Sequence, residues 1–200
     1  MHPDPRFHWK DRDAMRAFVA ARGFGMVFAG TPQGSRVAHV AAVWLDEDRL
    51  GFHLANANAL TPALHGAQAL FVAQGEDGYV SPDWYGLDDQ VPTWNYRAVE
   101  LSGTVAPLDG AETAGLLDRL SADREARLSP KPAWTRAKMT PGKFERMLGA
   151  ITGFALTVTQ WRGTAKFGQD KPAAARLAVA DALEGVGNAP TAATMREGTR

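Results

Sequence analysis

Gly23 to Leu45, GFGMVFAGTPQGSRVAHVAAVWL, decides the fold. It holds two runs rich in β-branched and aromatic residues, GFGMVFAG and SRVAHVAAVWL, joined by TPQG. Proline and glycine around a short polar gap mark a hairpin turn, so the two runs pair as antiparallel strands. Upstream, Asp11 or Asp13 is placed to cap a helix whose Met15, Phe18 and Val19 share one face, and Gly23 is placed to end it. Downstream, LDEDR makes a second turn and RLGFHLANAN a third strand. LTPALHGAQ reads as a short helix with Thr61 at the cap and Pro62 at the first helical position. QALFVAQG and RAVELSGTVAPL supply a fourth and a fifth strand.

From Asp109 the texture turns helical. Asp109 and Glu112 have capping-box spacing, and Leu116, Leu117 and Leu120 form one stripe. SPKPAW is a stiff linker, and TPGKFERMLGAI opens a second helix. In GFALTVTQWRGTAKF, Phe154, Leu156 and Val158 alternate with Ala155, Thr157 and Thr159, the pattern of a half-buried sixth strand. KPAAARLAVADALEG is a last helix, and VGNAPTAATMREGTR has too little apolar content to fold. The expected architecture is α+β: a six-stranded antiparallel β-barrel with N-terminal, inserted and C-terminal helices. It forms a single domain over residues 1–185, with 186–200 a loose tail.

Composition narrows the function. Of the 200 residues, 22 are Lys or Arg and 22 are Asp or Glu, so no basic excess favours nucleic acid. With no cysteine, disulfides, thiolate catalysis and thiolate metal sites are all excluded. No uninterrupted apolar stretch approaches the roughly 18 residues of a membrane span, and no signal-like run opens the chain; a cytoplasmic location is expected. Dinucleotide and P-loop fingerprints are absent, as are a nucleophile elbow and a metal-ligand histidine spacing. No metal site is expected.

Several polar residues fall where strand alternation calls for apolar ones: His39, His53, Asn56, Asn58 and Gln74. Buried carboxamides and imidazoles cost a few kcal/mol unless they are hydrogen-bonded. Either they face outward and satisfy one another, or together they suit a ligand rich in carbonyls, ring nitrogens and hydroxyls. In GYVSPDWYG, Tyr79 and Trp84 can cover a barrel end, while Ser81 and nearby amides can hold a phosphate or a flavin edge. In VPTWNY, Trp94 and Tyr96 read as core and Asn95, pointing the other way, as the ligand contact. Lys166 and Gln169 follow a strand and read equally as surface groups or as contacts to an anionic cofactor.

Taken in order, GFHLANAN, GYVSPDWY, VPTWNY and ITGFALTVTQWRGTAKFGQDK resemble the PaiB-like proteins, described as FMN-binding negative transcriptional regulators of the FMN-binding split-barrel superfamily. The resemblance runs from Phe7 to Leu183. It implies a six-stranded split barrel, a homodimer, and FMN held at the subunit interface. By position it places His53, Asn56 and Asn58 near phosphate or ribityl, with Gln74 and Ser81 along adjoining strands. It puts Trp94 and Asn95 near the ring or the partner, and Lys166 and Gln169 at the family's Lys-x-x-Gln; His39 is counted among the cofactor-side polar residues from its strand position alone. Two positions depart from it. Asn56 stands where an arginine is common, so either Arg36, Arg97 or Lys166 supplies the phosphate's cation or FMN binds weakly, and Asp170 stands where asparagine is frequent.

Three functions compete on this reading. The resemblance implies a flavin-holding regulator, with DNA as a partner, although the helices carry too balanced a charge for a phosphate-tracking face. A flavin oxidoreductase using FMN and a reduced nicotinamide is the second, with no obligatory acid or base evident. The third is a haem-handling or cofactor-less split barrel, with His39 or His53 as axial ligand.

Overall fold

The computed structural model describes residues 2–198. Its strands are β1 (His8–Trp9), β2 (Phe24–Thr31), β3 (Gly34–Trp44), β4 (Arg49–Ala55), β5 (Gln68–Val80), β6 (Thr93–Pro107) and β7 (Ile151–Lys166). Its α-helices are α1 (Arg12–Arg22), α2 (Gly110–Glu125), α3 (Lys143–Leu148), α4 (Ala173–Gly185) and α5 (Ala189–Glu197). Hydrogen bonding runs β7–β4–β3–β2–β5–β6 and returns from β6 to β7. Six strands therefore close the ring, as the sequence predicts, and β1 is a two-residue addition to β7. The registers of β2 with β3 and β5, β3 with β4, and β7 with β1 and β4 are all antiparallel.

The local chemistry follows the sequence closely in the first half. Asp11 caps α1 by accepting from Ala14 N at 2.9 Å, and Gly23, at φ 57°, ends it. Thr31 pairs with Gly34 across a two-residue turn, and the Thr31 hydroxyl donates to Gly34 O at 2.7 Å. Asp46 accepts from the Asp48 and Arg49 amides and closes the next turn. Asp109 and Glu112 make the expected capping box at α2. Strands β5 and β6 are longer than their apolar runs: β5 absorbs EDGYV and β6 begins at Thr93, so TWNY lies in a strand.

The chain divides into two compact units. The hairpin unit comprises residues 16–73 and 101–161. Its core is built from the inward residues of the strands, including Val27, Val40, Leu50, Phe71 and Leu101. Phe52 stacks on Phe154 at 5.6 Å, and Leu116 and Leu120 of α2 are buried. The terminal unit comprises residues 2–15, 74–100 and 162–198. Val80, Tyr85, Phe167, Val179, Leu183 and Met195 form its core.

The expected loose tail is a correction. Residues 189–197 form α5, and Met195 is fully buried; residues 199 and 200 lie outside the described part. Side-chain hydrogen bonds do what apolar content was expected to do. Asn188 caps the helix and donates to Asp77 O at 2.8 Å, Thr191 donates to the same carbonyl, and Thr194 donates to Glu76.

Candidate functional site

In the terminal unit, the start of β6 and the end of β7 converge on a polar cleft of about 220 Å3. Lys166, the last residue of β7, sends its ammonium to the Thr93 hydroxyl and to Trp94 O at 3.0 Å. It also lies 5.8 Å from the centre of the Phe7 ring. Burial lowers its pKa, an effect that Asp170 opposes and Lys171 reinforces. Lys171 donates to Gln90 Oε1 at 2.8 Å, pairs with Asp170 at 3.4 Å and sits 5.4 Å over the Tyr85 ring. Burial raises the Tyr85 pKa, and the Asp170 charge adds to it. The cleft thus holds cations, hydroxyls, the carboxylates of Asp4 and Asp170 and one carboxamide, Asn95, beside the rings of Phe7 and Tyr85.

The remaining expected residues divide sharply. Asn95 is the inward residue of TWNY, 1% exposed, with its amide on Met195 Sδ at 3.4 Å. Trp94 is the outward one: 51% exposed, edge-on to Tyr79 and donating to Asp77 at 3.0 Å. That reverses the expected orientation, because alternation in β6 starts at Thr93 and puts the carboxamide on the buried side. Gln169 folds the turn after β7, accepting from Phe167 N and donating to Ala165 O. Ser81 precedes the 3-10 turn 82–85 without a side-chain cap bond, and Gln74 is exposed on β5.

In the hairpin unit, Asn56 donates to Gly149 O at 2.9 Å and accepts from Thr152 at 2.8 Å. Asn58 accepts from Leu60 N at 2.9 Å. Both carboxamides are engaged by their own chain. His39 lies exposed on β3, stacked 6.4 Å from Phe24. His53 is different: its Nδ1 is enclosed without a hydrogen-bond partner, burial lowers its pKa, and its ring lines an apolar cavity.

Of the cations considered for a phosphate, only Lys166 lines the cleft. Arg97 is spent between the Trp9 and Phe167 rings, 5.3 and 5.5 Å away, beside Glu76 at 3.2 Å. Arg36 is exposed on β3. Thr93, Tyr85, Lys171 and Arg6 belong to the cleft and were not singled out from the sequence. Thr93, Tyr85 and Lys171 stand next to or within the quoted motifs, whereas nothing marked Arg6.

With the geometry described, comparison with known proteins decides the family. A profile described as "Putative FMN-binding domain" matches residues 1–160. The chain belongs to this family. FMN is its cofactor. A curated relative, protease synthase and sporulation protein PAI 2 of Bacillus subtilis (strain 168), is 29% identical over 185 residues, covering 90% of this chain and 87% of that protein. Among solved structures, the flavocytochrome Anf3 of Azotobacter vinelandii superposes with a TM-score of 0.61 at 19% identity, over 84% of this chain and 73% of that one. The FAD and heme binding protein of Mycobacterium smegmatis gives 0.59 at 20% identity, over 80% and 74%. These likenesses establish the split-barrel fold of the FMN-binding chain.

Proposed function

We propose that the protein works as a flavin-holding homodimer of the PaiB regulator type, with the FMN phosphate seated on Lys166 in the terminal unit's cleft. The observation that carries this is the half-buried Lys166 ammonium beside the Thr93 hydroxyl, with Lys171 close enough to share the same cleft. A phosphate monoester needs cations and hydroxyl donors, and the cleft supplies both. When bound, FMN supplies reversible electron transfer; the protein's part is to hold and orient it.

Two further features support a dimer. The cleft's 220 Å3 is below the roughly 300–1,000 Å3 of sites that enclose a whole cofactor-sized ligand. A second subunit would complete it. The hairpin unit also presents an apolar outer face in which Met26 sits opposite Val72, and Phe28 opposite Leu70 and Val37. Phe24 and Val37 on that face are 55% and 46% exposed, and patches of this kind mark association surfaces. We place the protein in the cytoplasm; among the described residues no helix is long and apolar enough to cross a membrane. Helix α2 carries four acidic and two basic residues, so the regulatory output we propose does not run through α2 lying on DNA.

The test compares FMN with riboflavin, which lacks the phosphate. Lys166→Gln is expected to weaken FMN by about 10- to 100-fold, the worth of one charged hydrogen bond, and to leave riboflavin unchanged. Sedimentation of the flavin-loaded protein checks the dimer. Equal loss for both flavins, or no loss for FMN, sinks the phosphate assignment.

A further inference from the structure

The hairpin unit contains a cavity of about 330 Å3 whose chemistry is the opposite of the cleft's. We propose that it is a second ligand site, for a flat, uncharged aromatic or heteroaromatic molecule of two or three fused rings bearing one hydroxyl or carbonyl. This goes beyond the flavin site and does not depend on it.

Size comes first. A dry cavity of roughly 150 Å3 holds one benzene ring, so 330 Å3 takes about two to three fused rings. The walls then select for flatness and low polarity. Leu117 comes from α2, Ile151 from β7, and Trp134, Met139 and Phe144 from the segment that follows α2. Thioether and aromatic groups adapt to planar ligands of varied outline. The charged groups on the lining, Asp118 and Arg136, pair with each other at 3.2 Å, and the guanidinium also lies 5.0 Å from the Phe144 ring centre. They present no net charge to a ligand.

Beside the Ser121 hydroxyl on α2, one polar side chain, His53, remains to fix orientation. His53 lines the cavity, its Nδ1 is enclosed, and among the described residues no hydrogen bond holds its ring. A buried polar atom without a partner is a standing cost, and a neutral imidazole offers one donor and one acceptor. With Nδ1 enclosed, a ligand hydroxyl or carbonyl would meet the ring through its other nitrogen, Nε2. The cover over the cavity is independent support. From Ser121 to Thr152 no residue is buried, yet Leu128, Trp134 and Met147 are 52%, 39% and 56% exposed. Its ties are polar and peripheral: Lys131 to Glu125, Trp134 N to Glu125 at 2.8 Å, and Asn56 to Gly149. A segment rich in large apolar groups and poor in packed ones is what a ligand would order.

The probe is 2-naphthol, titrated calorimetrically into full-length, FMN-loaded protein, with naphthalene and 2-naphthoate as comparisons. We expect one site per chain with a dissociation constant on the order of tens of micromolar. Naphthalene should bind about fivefold more weakly, for want of one neutral hydrogen bond, and the anion more weakly still. Ser121→Phe, which projects a ring from α2 into the cavity, should abolish binding without releasing FMN. His53→Phe should erase the preference for the hydroxyl. No binding to the wild-type protein, or unchanged binding in Ser121→Phe, overturns the proposal. So does displacement of 2-naphthol by added FMN, which would make this cavity the flavin's own ring site. Because FMN retention is followed in every titration, failure here is separate from failure of the Lys166 assignment.

Discussion

The cleft of the terminal unit and the cavity of the hairpin unit use polar side chains in opposite ways. In the cleft every named cation already has a partner: a hydroxyl and a backbone carbonyl for Lys166, a carboxamide and Asp170 for Lys171, and Asp4 for Arg6. In the cavity the single imidazole has none and the surroundings are apolar. A site of the first kind is preorganised for charge, because Thr93 and the Trp94 carbonyl hold the Lys166 ammonium in place before a ligand arrives. The burial that lowers its pKa is a cost an anion would relieve. A site of the second kind gains from a ligand that completes it. Polar residues at strand positions therefore do not announce one shared site.

The severest way to break this comparison is to disturb the barrel that holds the hairpin unit together. Gly103 of β6 packs so closely on β7 that a β-carbon there would overlap the Thr157 carbonyl, a backbone group that cannot swing away. Gly103→Ala is expected to lower stability by about 3 kcal/mol or more in urea unfolding. A loss under about 1 kcal/mol would show that β6 and β7 can separate locally, and that the cavity wall is softer than its packing implies.

The next effect sharpens the cleft. Asp170 shares the cleft with Lys166 and Lys171, and its charge opposes a phosphate there. Asp170→Asn is expected to tighten FMN by about three- to tenfold, with riboflavin unaffected. If both flavins respond alike, Asp170 acts on the shape of the loop rather than on the phosphate.

Much of the barrel was legible because its signals are local. The TPQG turn and the Asp109–Glu112 box need only neighbouring residues and appear as read; the alternation in β7 holds from Leu156 to Thr159, whereas Ala155, expected on the outer side, is buried. Three things were not legible. α5 is held by Thr and Asn bonds to Glu76 and Asp77, more than 100 positions away, which no apolar count reveals. The phase of TWNY depends on where β6 begins, and a one-residue shift exchanges Trp94 with Asn95. Asn56 and Asn58 sit in a strand-like run, yet their carboxamides close the chain's own turns. For the cleft, Lys166 and Asn95 were recognisable beside family-like motifs, while Arg6 was not.

Asn56 supplies a smaller test. If its bonds to Gly149 and Thr152 are its whole purpose, Asn56→Ala should cost about 1 kcal/mol and leave FMN affinity as it was. Faster hydrogen exchange at residues 143–150 should accompany the loss, since Asn56 ties the end of the segment covering the cavity. A drop in FMN affinity without that exchange would return Asn56 to the cofactor.

The smallest effect belongs to His53 and rests on sign. Burial lowers its pKa below the ordinary 6.5, so near that pH the unfolded chain binds the proton more readily than the folded one. Stability then rises with pH through this window: the full contribution is present above 6.5 and is lost as pH falls toward the folded value. Because the ring is only partly enclosed, the amplitude should be under about 1 kcal/mol between pH 7.5 and 5. His53→Phe should flatten that part of the urea midpoint profile. A saturating neutral ligand in the cavity should steepen the slope instead, since it favours the uncharged ring. If the ligand left the slope unchanged, the imidazole would be a bystander to whatever the cavity binds.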